Sequence, residues 1–155
     1  MKSVFFYDYP VVRIVIAEEN CAISRVGFHG NSKKGFDGFT AVETPLIKKA
    51  AAQLSDYFMG KRAKFDLPLA PAGTEFQRAV WQALETIPFG ETRSYGDIAA
   101  QVGNPKACRA VGMANNRNPI AIIIPCHRVI GRDGSLTGYG GGLDVKQYLL
   151  DLEKT

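Results

Sequence analysis

Residues 120–129 read IAIIIPCHRV, an apolar run that leads into a proline, a cysteine, a histidine and an arginine. The run at 120–124 is too short to cross a membrane and predicts a buried strand. Cys126 would leave the core at the end of this strand, with His127 and Arg128 beside it. The thiolate is the reactive form of cysteine, and neighbouring basic groups lower the thiol pKa. The pattern makes Cys126 a candidate nucleophile, and the alternative is a buried cysteine that only packs.

The composition is that of a small globular protein. A chain of 155 residues, 46% hydrophobic and 22% charged, can bury a core as one compact unit or two small ones. Its three cysteines show no disulfide spacing, which is typical of a reducing compartment. Arg13 interrupts the only early apolar stretch, residues 11–17, so neither a signal peptide nor a membrane span is predicted. We therefore expect a cytoplasmic protein without membrane contact.

Positive charge is concentrated between residues 93 and 132, although the net charge is only +4. This segment has one acidic residue, Asp97, and six basic residues: Arg93, Lys106, Arg109, Arg117, Arg128 and Arg132. Clustered arginine is typical of proteins that bind a polyanion, chiefly through its phosphates. A solvated charged face is the alternative.

The N-terminal part of the chain predicts a β-sheet followed by one helix. Three segments rich in β-branched and aromatic side chains predict strands at 3–9, 11–17 and 22–28. Thr44 and Pro45 form a helix cap with proline at the first helical position, and an apolar residue recurs at every fourth position up to Phe58. Residues 67–73, with two prolines and a glycine, predict an irregular boundary.

Beyond this boundary the sequence pattern becomes helical. Thr74 with Gln77 is a capping box, and Ser94 with Asp97 is a second one. The helix that Ser94 opens is expected to run to about residue 102. A last helix, at about 144–154, is expected to turn four apolar side chains inward: Val145, Tyr148, Leu149 and Leu152.

A third helix is expected at about 105–115, after a tight turn at 103–105. Two short helices joined by a glycine-containing turn are typical of a helix-turn-helix, and also of other helix corners. This helix is rich in small residues: Ala107, Ala110, Gly112 and Ala114. They allow either tight packing against a neighbour or close approach to a nucleic-acid groove, with Arg109 projecting from the helix. Both interpretations stay open, because they apply to different faces.

Together these elements predict an α+β protein. We expect a small N-terminal antiparallel β-sheet plus helix domain at residues 1–68. A helical C-terminal domain at residues 74–155 is expected to contain the helix-turn-helix and a buried active-site strand.

The order and spacing of the C-terminal residues resemble a known family, the O6-alkylguanine-DNA alkyltransferases, also called methylated-DNA–protein-cysteine methyltransferases. The resemblance covers residues 74–153, whereas residues 1–70 match only in general layout. It is carried by Gly90-Glu91, Ser94-Tyr95, Asn104-Pro105-Lys106-Ala107, Arg109-Ala110-Val111-Gly112, Asn118-Pro119, Pro125-Cys126-His127-Arg128-Val129, Gly138-Tyr139, Gly141-Gly142, Lys146, Leu149-Leu150 and Glu153.

The resemblance implies direct DNA repair. The protein would flip O6-alkylguanine, and also O4-alkylthymine, out of duplex DNA and transfer the alkyl group to Cys126. The product is a thioether, and the sequence offers no second nucleophile to regenerate the thiol. We therefore expect irreversible, single-turnover transfer. The implied partner is double-stranded DNA that contains O6-alkylguanine, the expected state is a monomer, and no cofactor is expected.

The resemblance also implies roles for five catalytic residues. Cys126 is the nucleophile, His127 acts on the thiol through a water, and Glu153 orients His127. Tyr95 helps to rotate the nucleotide, and Asn118 is the hinge between the recognition helix and the active-site strand. Adjacent residues of a strand point to opposite faces, so a bridging water or a local turn is needed to connect Cys126 with His127.

The implied DNA-binding and substrate-pocket residues surround these five. Arg109 would replace the flipped nucleotide in the duplex. The other DNA-binding residues are Tyr95, Lys106, Ala107, Ala110 and Arg128. The implied substrate pocket is formed by Pro125, Val129, Tyr139, Gly140 and Gly141. Many relatives have a larger residue at the position of Gly140.

A metal site is not expected. Some relatives bind zinc in the N-terminal domain, but here only Cys21 and His29 could contribute, and structural zinc takes four ligands. Cys108, beside Arg109, is expected to be a dispensable packing residue.

Three other functions compete with alkyl transfer. A non-catalytic protein that recognises alkylation damage would keep the fold but lack the cysteine. Cysteine hydrolases bring cysteine and histidine together from distant parts of the chain. A transcription factor that reads the major groove would carry polar base-reading side chains on its second helix instead of alanines.

Overall fold

The N-terminal part folds as a four-stranded mixed sheet in the order β3-β2-β1-β4. The structure is a computed structural model that describes residues 2–10, 12–28, 35–139 and 142–154. Its strands are β1 (Lys2–Asp8), β2 (Arg13–Glu19), β3 (Ala22–Phe28) and β4 (Thr40–Ala41). The first three are antiparallel, as predicted, whereas the short β4 pairs parallel with β1 and makes the sheet mixed.

Helix α1 (Pro45–Phe58) packs against one face of this sheet. The Thr44 side chain accepts a hydrogen bond from the Ile47 amide at 3.1 Å, which confirms the predicted cap. The buried face of α1 includes Ile47, Leu54 and Tyr57 and is rotated from the predicted one. A smaller cluster around Phe36 covers the opposite face of the sheet.

Four helices form most of the C-terminal part: α2 (Glu75–Glu85), α3 (Tyr95–Gln101), α4 (Cys108–Asn116) and α5 (Leu143–Glu153). Both predicted capping boxes are present, at the starts of α2 and α3. Helix α4 begins later than expected because residues 104–107 form a turn, closed by the Ala107 amide on the Asn104 carbonyl at 3.0 Å. Helices α3 and α4 contact each other, and the buried Trp81 ties α2 to α4 by donating to the Ala114 carbonyl at 2.9 Å.

The apolar run at 120–124 is buried, but the prediction of a strand is wrong. It forms a tight turn in which the Ile124 amide donates to the Ile120 carbonyl at 3.0 Å, and Ile122 has a φ of 69°. The Asn118 side chain accepts from the Ile120 amide at 3.0 Å and donates to the Ile124 carbonyl at 2.7 Å. Pro119 and Pro125, on either side of the run, have no backbone N–H that could bond to a neighbouring strand. A strand was the wrong choice because a local amide side chain, which hydropathy does not detect, pairs the backbone.

The turn is fastened to the outer edge of β3. The Val26 amide donates to the Pro119 carbonyl at 2.9 Å, and the Ala121 amide donates to the Val26 carbonyl at 2.8 Å. After the turn, residues Cys126–Arg128 form a short 3₁₀ helix. It leads into β6 (Val129–Ile130), which pairs parallel with β5 (Arg93–Ser94) directly before α3. The N-terminal sheet therefore positions the segment that carries Cys126.

The main apolar core is shared by both parts of the chain. It includes Ile16 and Leu54 from the N-terminal part and Trp81, Val111 and Leu149 from the C-terminal part. The division into domains at 1–68 and 74–155 remains a proposal.

We predict that Asn118→Ala destabilises the protein by about 1–3 kcal/mol, because it leaves the buried Ile120 amide without a partner and removes one of the two hydrogen bonds to the Ile124 carbonyl. Urea unfolding measures this change. The matched control is Asn116→Ala, an exposed asparagine two positions earlier, which should stay within about 0.5 kcal/mol of the wild type. A loss below about 1 kcal/mol for Asn118→Ala would contradict the role of this side chain in the turn.

Candidate active site

Cys126 is the first residue of the 3₁₀ helix and lies against a cavity of about 200 Å³. Its backbone is held on both sides, since its amide donates to the Ile124 carbonyl at 2.8 Å and its carbonyl accepts from the Asn115 side chain at 3.3 Å. The cavity is lined by Val26, Gly27, Phe28, Asn115, Asn116, Asn118, Pro119, Ala121, Cys126 and Tyr139. The cysteine of the sequence motif is thus buried next to a small space that β3 and α4 enclose.

In a strand, the side chains of Cys126 and His127 would point to opposite faces, and the 3₁₀ helix avoids this arrangement. Cys126 is 5% exposed and His127 is 0% exposed, so consecutive residues are both interior. The local turn that the sequence analysis allowed for is therefore present, and it places both residues in the interior. The side chains of the motif face the protein interior instead of alternating between core and solvent.

His127 is paired with Glu153 at the end of α5. Its Nε2 lies 2.6 Å from Oε2 of Glu153. Because the carboxylate is ionised, the imidazole donates from Nε2 and keeps its lone pair on Nδ1. Nδ1 is buried and has no hydrogen-bond partner among the residues that the structure describes. The arrangement leaves a basic nitrogen on the side of the ring away from the carboxylate.

The Glu153 carboxylate is the centre of a buried network. Arg128 donates from Nε to Oε1 at 2.8 Å and from Nη2 to Oε2 at 3.0 Å. The Tyr57 hydroxyl donates to Oε2, and the Gly90 amide donates to Oε1 at 3.4 Å. Burial alone would raise the pKa of Glu153, but the hydrogen bonds from His127, Arg128 and Tyr57 lower it to about 2. The carboxylate is therefore charged at neutral pH.

His127 is neutral at neutral pH. Burial lowers its pKa below the ordinary value of 6.5, with the Arg128 and Lys146 charges acting in the same direction. The bond to Glu153 opposes this effect without cancelling it. A neutral imidazole with an acceptor nitrogen is the form that can take a proton from a thiol.

The Cys126 thiol is protonated in the resting protein. Burial raises its pKa, while the side chains of Asn118 and Tyr139 and the charge of Lys146 act in the opposite direction. The resting site therefore holds a neutral thiol and a neutral imidazole. Groups that stabilise a thiolate are already in place around the sulfur.

Lys146 is a site residue without a predicted role. It is fully buried on α5, and its Nζ donates to the Thr137 carbonyl at 2.9 Å. Burial lowers the pKa of Lys146, and the negative charge of Cys126 in its thiolate form opposes this effect. The buried face of α5 is Lys146, Leu149, Leu150 and Glu153, whereas the predicted inward residues Val145, Tyr148 and Leu152 are only half-buried. The sequence did contain a signal for this buried face. Lys146 and Glu153 lie seven positions apart, which puts them on one face of the helix, and the two leucines lie between them.

A second cavity of about 290 Å³ lies on the surface beside the first. It is lined by Tyr95, Cys108, Arg109, Gly112, Asn116, Thr137 and Gly138. Arg109, Met113 and Asn116 share the exposed face of α4, and Met113 is 57% exposed. Asn116 lines both cavities, so the exposed face of α4 is continuous with the space at Cys126.

The other predicted DNA-binding residues lie close to this face. Lys106 and Ala110 are exposed, and Ala107 is half-buried at the start of α4. Tyr95 lies at the start of α3, where its hydroxyl bonds the Thr137 side chain at 2.8 Å. It lines the surface cavity and not the one at Cys126.

The structure corrects three of the predicted site residues. Arg128 is buried and its guanidinium binds Glu153 and the Ile87 carbonyl, so the predicted DNA contact is wrong. Val129 is fully buried in the core, and Pro125 lines a separate cavity of about 490 Å³. Neither lines the space at Cys126, because the 3₁₀ helix turns the chain away from it.

Two further predicted pocket residues, Gly140 and Gly141, lie outside the described residues. Their predicted part in the pocket stays a prediction.

Besides Lys146, three contributors to the site were missed by the sequence analysis. Phe28 lines the cavity from β3 and packs on Tyr139 with ring centroids 5.5 Å apart. Asn115 binds the Cys126 carbonyl, and Tyr57 binds Glu153 from 96 residues away. Tyr57 follows Ile47, Ala50 and Leu54 at helical spacing, which signalled its burial but not its partner.

Two features are absent from the described residues, a cluster of metal ligands and a helix that could span a membrane. No group of three or more His, Cys, Asp or Glu side chains is placed to hold a metal ion within these residues, and the absence of a metal remains a prediction. No helix in the described part of the chain is long and apolar enough to span a membrane.

Comparisons with known proteins match most of the chain to one family, to which the chain belongs. The profile described as "6-O-methylguanine DNA methyltransferase, DNA binding domain" matches residues 75–155. The profile described as "6-O-methylguanine DNA methyltransferase, ribonuclease-like domain" matches residues 5–71.

Individual relatives agree with these profiles. The methylated-DNA–protein-cysteine methyltransferase of Methanosarcina barkeri is 65% identical over 153 residues, which cover 96% of this chain and 97% of that protein. The protein of the same name from Methanosarcina acetivorans is 53% identical over 148 residues, 95% of each chain.

Solved structures give the same result. The crystal structure of Mycobacterium tuberculosis O6-methylguanine methyltransferase is 46% identical, has a TM-score of 0.91 and covers 99% of this chain and 93% of its own. A structure of the Mycobacterium tuberculosis protein in complex with DNA has a TM-score of 0.90 at 46% identity, with 98% and 92% coverage.

Proposed function

Because the chain belongs to the 6-O-methylguanine DNA methyltransferase family, we propose that it removes the alkyl group from O6-alkylguanine in duplex DNA and keeps it on Cys126. The chain is a methylated-DNA–protein-cysteine methyltransferase and acts in DNA repair by alkyl transfer. Four finer points are proposed here: O6-alkylguanine as the substrate, extrusion of the base from the duplex, Cys126 as the acceptor and a single turnover.

The observation that carries the proposal is the position of Cys126 at a small cavity that adjoins the exposed face of α4. The cavity volume of about 200 Å³ is less than the roughly 300–1,000 Å³ of pockets for drug-sized ligands and suits one planar group. Across Asn116 the cavity adjoins the exposed face of α4, which carries Arg109. A base would have to leave the duplex to enter a buried space of this kind.

The chemical step is a displacement at the alkyl carbon. The Cys126 sulfur forms the new bond to carbon, and the bond between that carbon and O6 of guanine breaks with its electrons going to oxygen. The thiol proton passes through a bridging water to Nδ1 of His127. The departing guanine anion takes one proton from water, and the imidazolium then returns its proton to water, so that no net proton is gained or lost. His127 keeps its orientation during this transfer because Nε2 is bonded to Glu153.

The electrostatic environment supports attack by the sulfur. Burial raises the pKa of the Cys126 thiol, whereas the Tyr139 side chain and the Lys146 charge oppose this effect and would stabilise negative charge on sulfur as it develops. The product is a thioether in a buried site, and thioethers do not release a thiolate under these conditions. Each molecule therefore reacts once. O4-alkylthymine, a flat base with the same type of O-alkyl bond, is the proposed second substrate.

Arg109 is proposed to fill the place of the extruded nucleotide. It is exposed at the start of α4, on the outward face that also carries Met113 and Asn116. Ala110, next to it, is small enough for the backbone to approach a groove closely. Lys106, in the turn before the same helix, is proposed to contact a phosphate.

We predict that one methyl group is transferred per molecule to the peptide that contains Cys126. The experiment incubates the protein with a duplex that carries labelled O6-methylguanine, and peptide mass mapping locates the label. Cys126→Ser should bind the duplex without accepting the label. The matched controls Cys21→Ser and Cys108→Ser remove the two exposed thiols and should transfer normally.

The outcomes separate the candidate functions. Tight binding of the damaged duplex without transfer by the wild type would favour a non-catalytic damage-recognition protein. Release of methanol with repeated turnover would contradict the single-turnover proposal.

We predict that Arg109→Ala slows methyl transfer from a duplex by about 10- to 100-fold, since loss of about 1–3 kcal/mol of stabilisation of the extruded state slows the reaction by such a factor. Transfer from a single-stranded oligonucleotide, whose base is already accessible, should change less than about threefold. Lys48→Ala, which removes an exposed charge on α1, is the control. Equal slowing with both substrates would contradict the assigned role of Arg109.

A further inference from the structure

The catalytic network contains one side chain that comes from the other half of the molecule. Tyr57 belongs to α1, which otherwise packs on the N-terminal sheet, and it is fully buried. Its hydroxyl donates to Oε2 of Glu153. The same oxygen lies 2.6 Å from Nε2 of His127 and 3.0 Å from Nη2 of Arg128. Tyr57 and His127 therefore donate to one carboxylate oxygen.

The ring of Tyr57 is fixed independently of this hydrogen bond. It packs against Phe65 with centroids 5.7 Å apart and meets Phe89 edge to face at 6.2 Å. Arg128 in turn lies over Phe89 at 5.8 Å. These contacts belong to the ring and not to the hydroxyl, so removal of the oxygen alone leaves the packing intact.

A shared acceptor links Tyr57 to the acid–base state of His127. Each donor withdraws part of the negative charge that the carboxylate presents to the others. Without the tyrosine donor, more of this charge would face the imidazole and favour its protonated form. A protonated imidazole cannot accept the thiol proton.

Other ionisable groups around the pair set the background for this effect. They are Arg128 from the 3₁₀ helix, Lys146 and Tyr148 from α5, Tyr139 from the segment before α5, and the Cys126 thiol. Arg128 and Lys146 carry positive charge and disfavour the imidazolium. Removal of the Tyr57 hydroxyl leaves all of these groups in place.

We propose that Tyr57 is a positioning residue for alkyl transfer, through which the N-terminal part of the chain keeps His127 in its neutral, proton-accepting form. This inference rests on the proposed function, because His127 must act as the base. It gives the N-terminal part a role in the chemistry beyond support of the fold.

The test compares Tyr57→Phe with Tyr9→Phe. Tyr9 packs against Phe58 of α1, and its hydroxyl donates to the Ala51 carbonyl at 3.0 Å, away from the network. Both variants lose one tyrosine hydroxyl that bonds within the protein. Single-turnover methyl transfer from a single-stranded oligonucleotide is measured from about pH 5 to about pH 9, so that base extrusion does not contribute.

The proposal predicts a shift in pH dependence for Tyr57→Phe. The acid limb of its rate profile should move up by about one pH unit, which makes transfer about tenfold slower on that limb. At high pH the rate should remain within about twofold of the wild type, since the neutral imidazole is then restored. Tyr9→Phe should keep the wild-type profile.

Other results would overturn the proposal. These are an unchanged acid limb in Tyr57→Phe, an equal shift in Tyr9→Phe, a uniform loss of rate at all pH values, or a Tyr57→Phe protein that does not fold. Absence of transfer by the wild type would instead count against the proposed function, which is measured first in the same assay.

Discussion

The buried carboxylate of Glu153 is the interaction on which the site depends. Glu153 ends α5 and accepts hydrogen bonds from three other segments that are far apart in sequence: Tyr57 in α1, Gly90 after α2, and His127 and Arg128 in the 3₁₀ helix. A buried charge of this kind is costly unless it is paired and fully bonded. The network meets that condition and leaves the imidazole in one tautomer, with Nδ1 as its free acceptor.

The close approach of residue 90 to the end of α5 depends on glycine. Gly90 has a φ of 83°, and a Cβ there would lie 3.1 Å from the backbone carbonyl of Glu153.

A second constraint places the sulfur. The turn at 120–124 is held by the Asn118 side chain and by the outer edge of β3, and it delivers Cys126 into a cavity that Phe28 and Tyr139 help to line. The N-terminal sheet therefore has two connections to the chemistry, one through β3 and one through Tyr57. A continuous core across both parts of the chain makes these connections rigid.

The sequence predicted local structure well where the signal was local. Thr74 and Ser94 opened helices as their capping boxes indicated, because a cap depends only on residues three positions apart. The run at 120–124 was correctly predicted to be buried but was wrongly predicted to be a strand. Hydropathy reports burial, whereas the choice between turn and strand was made by the Asn118 amide.

The role of Arg128 could not be read from charge alone. A cluster of arginines is typical of a polyanion-binding surface, yet this guanidinium faces inward, because Glu153 at the far end of the chain provides its partner. Tyr57 was missed for the same reason, since its partner lies 96 residues away. The resemblance to a family supplied the pairing of His127 with Glu153, which no spacing rule provides.

The most direct test of this account is a ¹⁵N NMR titration of the His127 imidazole, with its signals assigned by their loss in His127→Asn. The account predicts a neutral ring with the proton on Nε2 at pH 7 and a protonation midpoint below 6.5, because burial lowers the pKa of His127 more than Glu153 raises it. A midpoint at or above 6.5, or a proton on Nδ1 in the neutral ring, would contradict it.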